Sequence, residues 1–139
     1  MIAKQKIVLC LEDTPSRVRW LEAIAKEHNA VVHATSLVSV FLSLCQTCSA
    51  EELTIVLDHD LGGHAMPVSF QDSEGFDGVD AVEQMPVLLA PVLIWSTNHL
   101  EAPKMEETLR KRGYSTIARL PWSAGNRDEM AAQLHEWLS

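Results

Sequence analysis

Short apolar runs alternate along the chain with stretches of helical periodicity. Residues 6–11, Lys-Ile-Val-Leu-Cys-Leu, form a continuous apolar run rich in β-branched side chains and stop at Glu12-Asp13, the pattern of a strand covered on both faces. Thr14-Pro15-Ser16-Arg17 then supplies an N-cap type residue with proline at the first helical position, and Val18, Leu21, Ile24 and Ala25 recur at helical spacing, which predicts a helix to about His28. Ala30 to Ala34 reads as a second strand, and Thr35-Ser36 as the cap of a helix that turns Leu37, Val40, Phe41, Leu44 and Cys45 inward. Leu53 to Leu57 is the clearest central strand; it ends at Asp58-His59-Asp60, and Gly62-Gly63 breaks any regular structure.

From His64 to Asp77 the residues show no firm period, and a connection of that length in an α/β chain reads as an active-site loop, with Pro67 to Asp77 as a lid over a ligand. Val79 to Met85 is a short helix stopped by Pro86, and Pro91 to Trp95 a fourth buried strand ended by Ser96-Thr97-Asn98. Residues 101–112 form an amphipathic helix with Met105 and Leu109 inward and a Glu106–Arg110 pair outside, closed by Gly113. Ser115 to Leu120 is the fifth strand, stopped by Pro121, and residues 126–138 are the last helix, with Met130, Leu134, Trp137 and Leu138 toward the core. Strands alternating with helices imply right-handed crossovers and a doubly wound α/β fold with a five-stranded parallel sheet. With no repeat, low-complexity tract or linker, residues 1–139 read as a single domain.

Composition narrows the class. A chain that is 47% hydrophobic and 22% charged is an ordinary soluble protein, and its net charge of -8 excludes a basic face for long nucleic acid. Three cysteines, two of them (Cys45 and Cys48) within an apolar helical pattern, do not make a disulfide framework and point to a reducing compartment. The first residues lack a long apolar region with a small-residue cleavage site, and no apolar run is long enough to span a bilayer, so a cytoplasmic location without membrane contact is expected.

The strand ends carry the chemistry. In a doubly wound sheet, ligands bind outside the carboxyl ends of the strands at the topological switch point, and those ends hold Glu12, Asp13, Asp58 and Asp60. Gathered carboxylates repel one another unless a cation joins them, and hard oxygen donors with room for water suit Mg²⁺ or Mn²⁺ better than zinc. A phosphate ligand is the usual companion of such a site. Weighed against this, aspartates at strand ends commonly just cap turns, Ser96 and Asn98 are residues that satisfy local backbone, and His59 is equally readable as a structural donor. Cys45-x-x-Cys48 lacks a second ligand pair and reads as core or surface thiols; Trp20, Trp122 and Trp137 read as packing.

Glu12-Asp13 after the first strand, Leu57-Asp58-His59-Asp60-Leu61-Gly62-Gly63 after the third, Ser96-Thr97 after the fourth and Leu120-Pro121-Trp122 after the fifth resemble response-regulator receiver domains over most of the chain. The resemblance implies a flavodoxin-like strand order of 2-1-3-4-5, Asp58 as phosphoacceptor, Glu12 and Asp13 as the metal-binding acidic pair, Ser96 as the switch hydroxyl, and the main-chain carbonyl of Asp60 on the metal. Leu120 stands where receivers usually carry a lysine. A narrower resemblance, through Glu12-Asp13, Arg17, Trp20, Asp58 to Gly62, Gly78-Val79-Asp80, Ser96, Asn98 and Met105, is to the diverged receiver-like family predicted to process cyclic phosphates. It implies a metal-dependent phosphoesterase: Asp13, Asp58 and Asp60 hold the cation, His59 transfers a proton, and Asn98 and Arg17 orient phosphate oxygens beside Ser96 and Thr97. Trp95 occupies the place where that family has a histidine, which leaves His64 and His99 as the imidazoles on nearby loops. Three readings stand on these residues: a phosphoesterase acting on a small cyclic phosphate, a receiver accepting a phosphoryl group on Asp58, and a non-catalytic module that binds a protein partner.

Overall fold

A computed structural model describes residues 4–61 and 77–139. Its elements follow in the order β1 (Lys6–Leu11), α1 (Pro15–Lys26), β2 (Val31–Thr35), α2 (Val38–Thr47), β3 (Glu52–Leu57), α3 (Gly78–Gln84), β4 (Val92–Ile94), α4 (Ala102–Lys111), β5 (Ile117–Arg119) and α5 (Arg127–Leu138). All strand pairs are parallel and the sheet order is β2-β1-β3-β4-β5. The doubly wound α/β architecture and strand order expected from the sequence are therefore present.

The apolar runs become central strands because side chains alternate across the sheet and both faces are covered. Ile7, Leu9, Leu11, Ile55, Leu57 and Ile94 pack with Phe41, Met85, Met105 and Leu109 on the α2, α3 and α4 side. Val8, Cys10, Val56, Leu93 and Trp95 pack with Leu21, Ile24, Met130 and Leu134 on the α1 and α5 side. The β1–β3 pair runs in register from Lys6 with Glu52 to Leu11 with Leu57, so Glu12 and Asp58 leave the sheet side by side.

Local chemistry sets the boundaries. Pro15 opens α1, and the chain turns out of it through Asn29, at φ 56°. Gly113 adopts φ 104° just past α4, a conformation that favours glycine. At α3 the N-cap is Asp77, whose side chain accepts from the N–H groups of Val79 and Asp80 while Asp80 accepts from the Asp77 N–H, a complete capping box.

Helix α2 departs from the sequence reading in its phase. It begins at Val38, and the face that meets the sheet is Val38, Phe41 and Cys45; Val40 is exposed and Leu44 only partly buried. Thr35 ends β2, its Oγ1 accepting from the Leu37 N–H, so the helix has no side-chain cap. Trp137 packs at the edge of its core, whereas Met130, Leu134 and Leu138 are buried in it. The expected lid, with His64, lies outside the described residues except for Asp77.

Candidate functional site

The site grows from the adjacent ends of β1 and β3. The Asp58 N–H donates to the Leu11 carbonyl and the Glu12 N–H to the Thr35 carbonyl, which fixes the first acidic residues after each strand over the crevice. Glu12, Asp13 and Asp58 each offer a carboxylate oxygen within 4.8 Å of the others. Glu12 also turns its Oε2 to the N–H groups of Asp13 and Thr14, so it organises the entry to α1. In the first turn of that helix, Arg17 brings Nη1 to 3.3 Å from Glu12 Oε1 and 3.9 Å from Asp58 Oδ2. Asp13, Thr14, Arg17, Asp58, Asp60 and Thr97 line a cleft of about 270 Å³.

Burial works against the charges held there. Glu12 is 3% exposed and Asp58 5%. Desolvation pushes Glu12 up to about 7, the neighbouring Asp58 charge adds to this, and Arg17 opposes it. Burial likewise raises Asp58, against the His59 N–H, which donates to Asp58 Oδ1, and against Arg17. Among the described residues, two buried carboxylates with one arginine are short of positive charge. A hard divalent cation fits this donor set: the oxygens converge, the cleft leaves room for water, and neutralisation would remove the repulsion.

His59, Asn98 and Asp60 form a second group beside this one. His59 is buried; its Nδ1 lies 2.7 Å from Asp60 Oδ1 and its Nε2 3.2 Å from Asp77 Oδ2, with Glu101 Oε2 at 3.9 Å. Asn98 donates from Nδ2 to Asp60 Oδ1, and its Oδ1 accepts from the N–H groups of Leu100 and Glu101 ahead of α4. Both imidazole nitrogens of His59 thus face carboxylates that tie the end of β3 to the starts of α3 and α4. Gly78 returns the chain to the same place: its N–H donates to the His59 carbonyl.

The sequence-expected residues are distributed as follows. Glu12, Asp13, Asp58 and Arg17 come together, and Asp60 borders them while also holding His59. Ser96 is buried, its Oγ accepting from the Asn98 N–H, whereas Thr97 lies on the cleft. His99 is exposed. Sequence reasoning did not assign Asp77 or Glu101 to His59, although Asp77 three residues before Asp80 carries the capping-box signature. Nor did it place Trp122 behind Arg17, whose Cζ lies 5.4 Å from the ring centroid. Cys45 and Cys48 are buried, and burial pushes the Cys45 thiol up to about 12, away from reactivity.

No family profile matches the sequence, and no curated protein matches it. Solved structures do share its fold. The receiver domain of a Pseudomonas aeruginosa sensor histidine kinase, with a magnesium ion coordinated in its active-site cleft, aligns over 98% of each chain at 18% identity and a TM-score of 0.57. The signal receiver domain of a Vibrio parahaemolyticus protein described as a Luxo repressor covers 95% of this chain and 89% of its own at 17% identity and a TM-score of 0.56. Full-length FixJ from B. japonicum covers 99% of this chain, which spans 59% of FixJ, at 18% identity and a TM-score of 0.54. The architecture is thus the receiver fold of response regulators and sensor kinases.

Proposed function

We propose that the chain is a receiver that takes a phosphoryl group on Asp58 with the help of Mg²⁺ or Mn²⁺. The observation that carries this reading is the convergence of Glu12, Asp13 and Asp58 at the switch point of a receiver fold. In the transfer, an Asp58 carboxylate oxygen bonds to the phosphorus of a small phosphodonor while the bond to the donor's leaving group breaks, and the leaving group departs with the electron pair. Asp13, Asp58, Glu12 and the Asp60 carbonyl are the groups that would hold the cation. When bound, the cation supplies charge neutralisation for the phosphoryl oxygens. Arg17 offers a guanidinium from α1, at the acidic pair itself, whereas the residue that follows β5 is the apolar Leu120.

A receiver acts through what reads its phosphorylated state, so the partners implied are a phosphodonor and a protein, in the cytoplasm. No helix among the described residues is long and apolar enough to cross a membrane. The test is incubation with acetyl phosphate and Mg²⁺ followed by intact-mass measurement: a gain of one phosphoryl group, absent in Asp58→Asn, supports the reading. No gain in the wild type sinks it.

A second reading uses the same cleft for metal-dependent hydrolysis of a small cyclic phosphate, with His59 carrying the proton and Asn98 and Arg17 orienting oxygens. Arg17 beside Asp58 and the missing lysine at Leu120 favour it. It ranks second because both His59 ring nitrogens already face Asp60 and Asp77. Phosphorus NMR with Mg²⁺ or Mn²⁺ and a panel of 2′,3′-cyclic nucleotides separates the two, since only hydrolysis produces an open ester.

A further inference from the structure

Arg17 lies between a pair of carboxylates and an aromatic ring. In front of it lie the carboxylates of Glu12 and Asp58; behind it, at 5.4 Å from Cζ, lies the indole ring of Trp122. That ring is itself fixed. Trp122 meets Trp20 and Trp95 edge to face at 5.2 Å each, and its main-chain N–H donates to the carbonyl of Trp95, just past β4. Trp95 is fully buried, and Trp20 and Trp95 approach at 6.3 Å, so the three rings form one cluster. Arg127, the first residue of α5, places its Cζ 5.8 Å from the same Trp122 ring.

A long arginine side chain at a helix surface samples many rotamers unless something orders it. An indole face attracts a guanidinium through its quadrupole, and it does so without competing for the carboxylate oxygens. We infer that Trp122 is a positioning residue: the Trp20–Trp95–Trp122 cluster holds the Arg17 guanidinium beside Glu12 and Asp58, so that the fixed cation of the phosphoryl site is supplied by α1 and steadied from the segment after β5. Leu120, two residues before Trp122, provides no charge of its own, which leaves Arg17 as the basic side chain among the described residues lining the cleft. The inference rests on the phosphoacceptor reading given above.

The test has one arm that depends on phosphorylation and one that does not. In the first, the rate of phosphorylation by acetyl phosphate is compared for the wild type, Trp122→Phe, Trp122→Leu, Arg17→Leu and the double variant Arg17→Leu/Trp122→Leu. Trp122→Leu is expected to slow phosphorylation by about tenfold while leaving Mg²⁺ affinity unchanged, Trp122→Phe to retain most of the rate because it keeps an aromatic face, and the double variant to be no slower than Arg17→Leu alone. Additive losses, or equal rates for the Phe and Leu variants, overturn the inference. In the second arm, NMR follows the Arg17 side-chain protons, which the indole ring current should shift upfield in the wild type and not in Trp122→Leu. Equal shifts in the two proteins overturn the inference whatever the activity. If the wild type takes no phosphoryl group, the phosphoacceptor reading fails, and inorganic phosphate with Mg²⁺ decides the positioning role: Arg17 resonances must move on titration in the wild type and move less in Trp122→Leu, and equal movement overturns it.

Discussion

Gly78 packs so closely against Asp58 that a Cβ at that position would lie 2.5 Å from the Asp58 carbonyl oxygen and 2.8 Å from the His59 Cα. The obstacle on that side is backbone, which cannot swing away as a side-chain tip can. Gly78→Ala is therefore expected to destabilise the protein by about 2–3 kcal/mol, as overpacking does, and to weaken Mg²⁺ binding because the strand end must shift. Urea denaturation and calorimetric Mg²⁺ titration check the two effects; an alanine variant as stable as the wild type would refute the close approach.

The buried acidic pair gives stability a defined pH dependence. The Glu12 carboxyl has an ordinary value of 4.5 and is pushed up to about 7 in the fold, so between these values the folded chain binds more protons than the unfolded one. Its contribution to stability is present below 4.5 and is lost as pH rises through about 7. Without divalent cation the protein should melt at a lower temperature at pH 8 than at pH 6. Added Mg²⁺ should raise the melting temperature more at pH 8, where the carboxylates are already ionised, and binding at pH 6.5 should release protons, read as a buffer-dependent heat.

Removing one of the two like charges should relieve the repulsion. Asp58→Asn keeps an oxygen to accept the His59 N–H while deleting the charge, so the cation-free variant is expected to be more stable than the wild type by about 1–2 kcal/mol at pH 8. The same variant should gain little from Mg²⁺. A loss of stability on substitution, measured in chelator at pH 8, would mean that Arg17 already compensates the pair in full.

His59 and Asp77 should behave as a coupled pair. The imidazole Nε2 lies 3.2 Å from Asp77 Oδ2, while Asp77 Oδ1 caps α3. Asp77→Ala removes the cap and His59→Ala leaves buried space and deletes the imidazole between Asp60 and Asp77, with expected costs of about 1–2 and 2–3 kcal/mol. A double-mutant cycle should return a coupling of about 1 kcal/mol. Additivity would place the two side chains apart in solution.

The sheet was readable because each buried strand is a mainly apolar run, interrupted in β3 by Thr54, that stops at polar residues, as at Leu57-Asp58 and Trp95-Ser96. The acidic convergence was readable for the same reason, since parallel order brings strand ends to one edge. Helix phase was harder. In Val38–Thr47 nearly every position is apolar or small, so the pattern does not say which stripe meets the sheet, and Val40 was placed inward although Val38 is. Between Ser96 and Thr97, neighbouring residues that point different ways, only tertiary packing decides which reaches the cleft. The partners of His59 and Arg17 come from Asp77, Glu101 and Trp122, residues brought near by the chain's return over the sheet and not by any local period.

The hydrogen bond from the Gly78 N–H to the His59 carbonyl makes a narrow neck. The bond closes a ring of chain between the end of β3 and the start of α3. The entropy of closing such a ring grows only logarithmically, by about 0.6 kcal/mol for each doubling of its length. Adding residues between Leu61 and Asp77 is thus expected to cost little stability as long as this bond keeps His59 and Gly78 together beside the acidic edge.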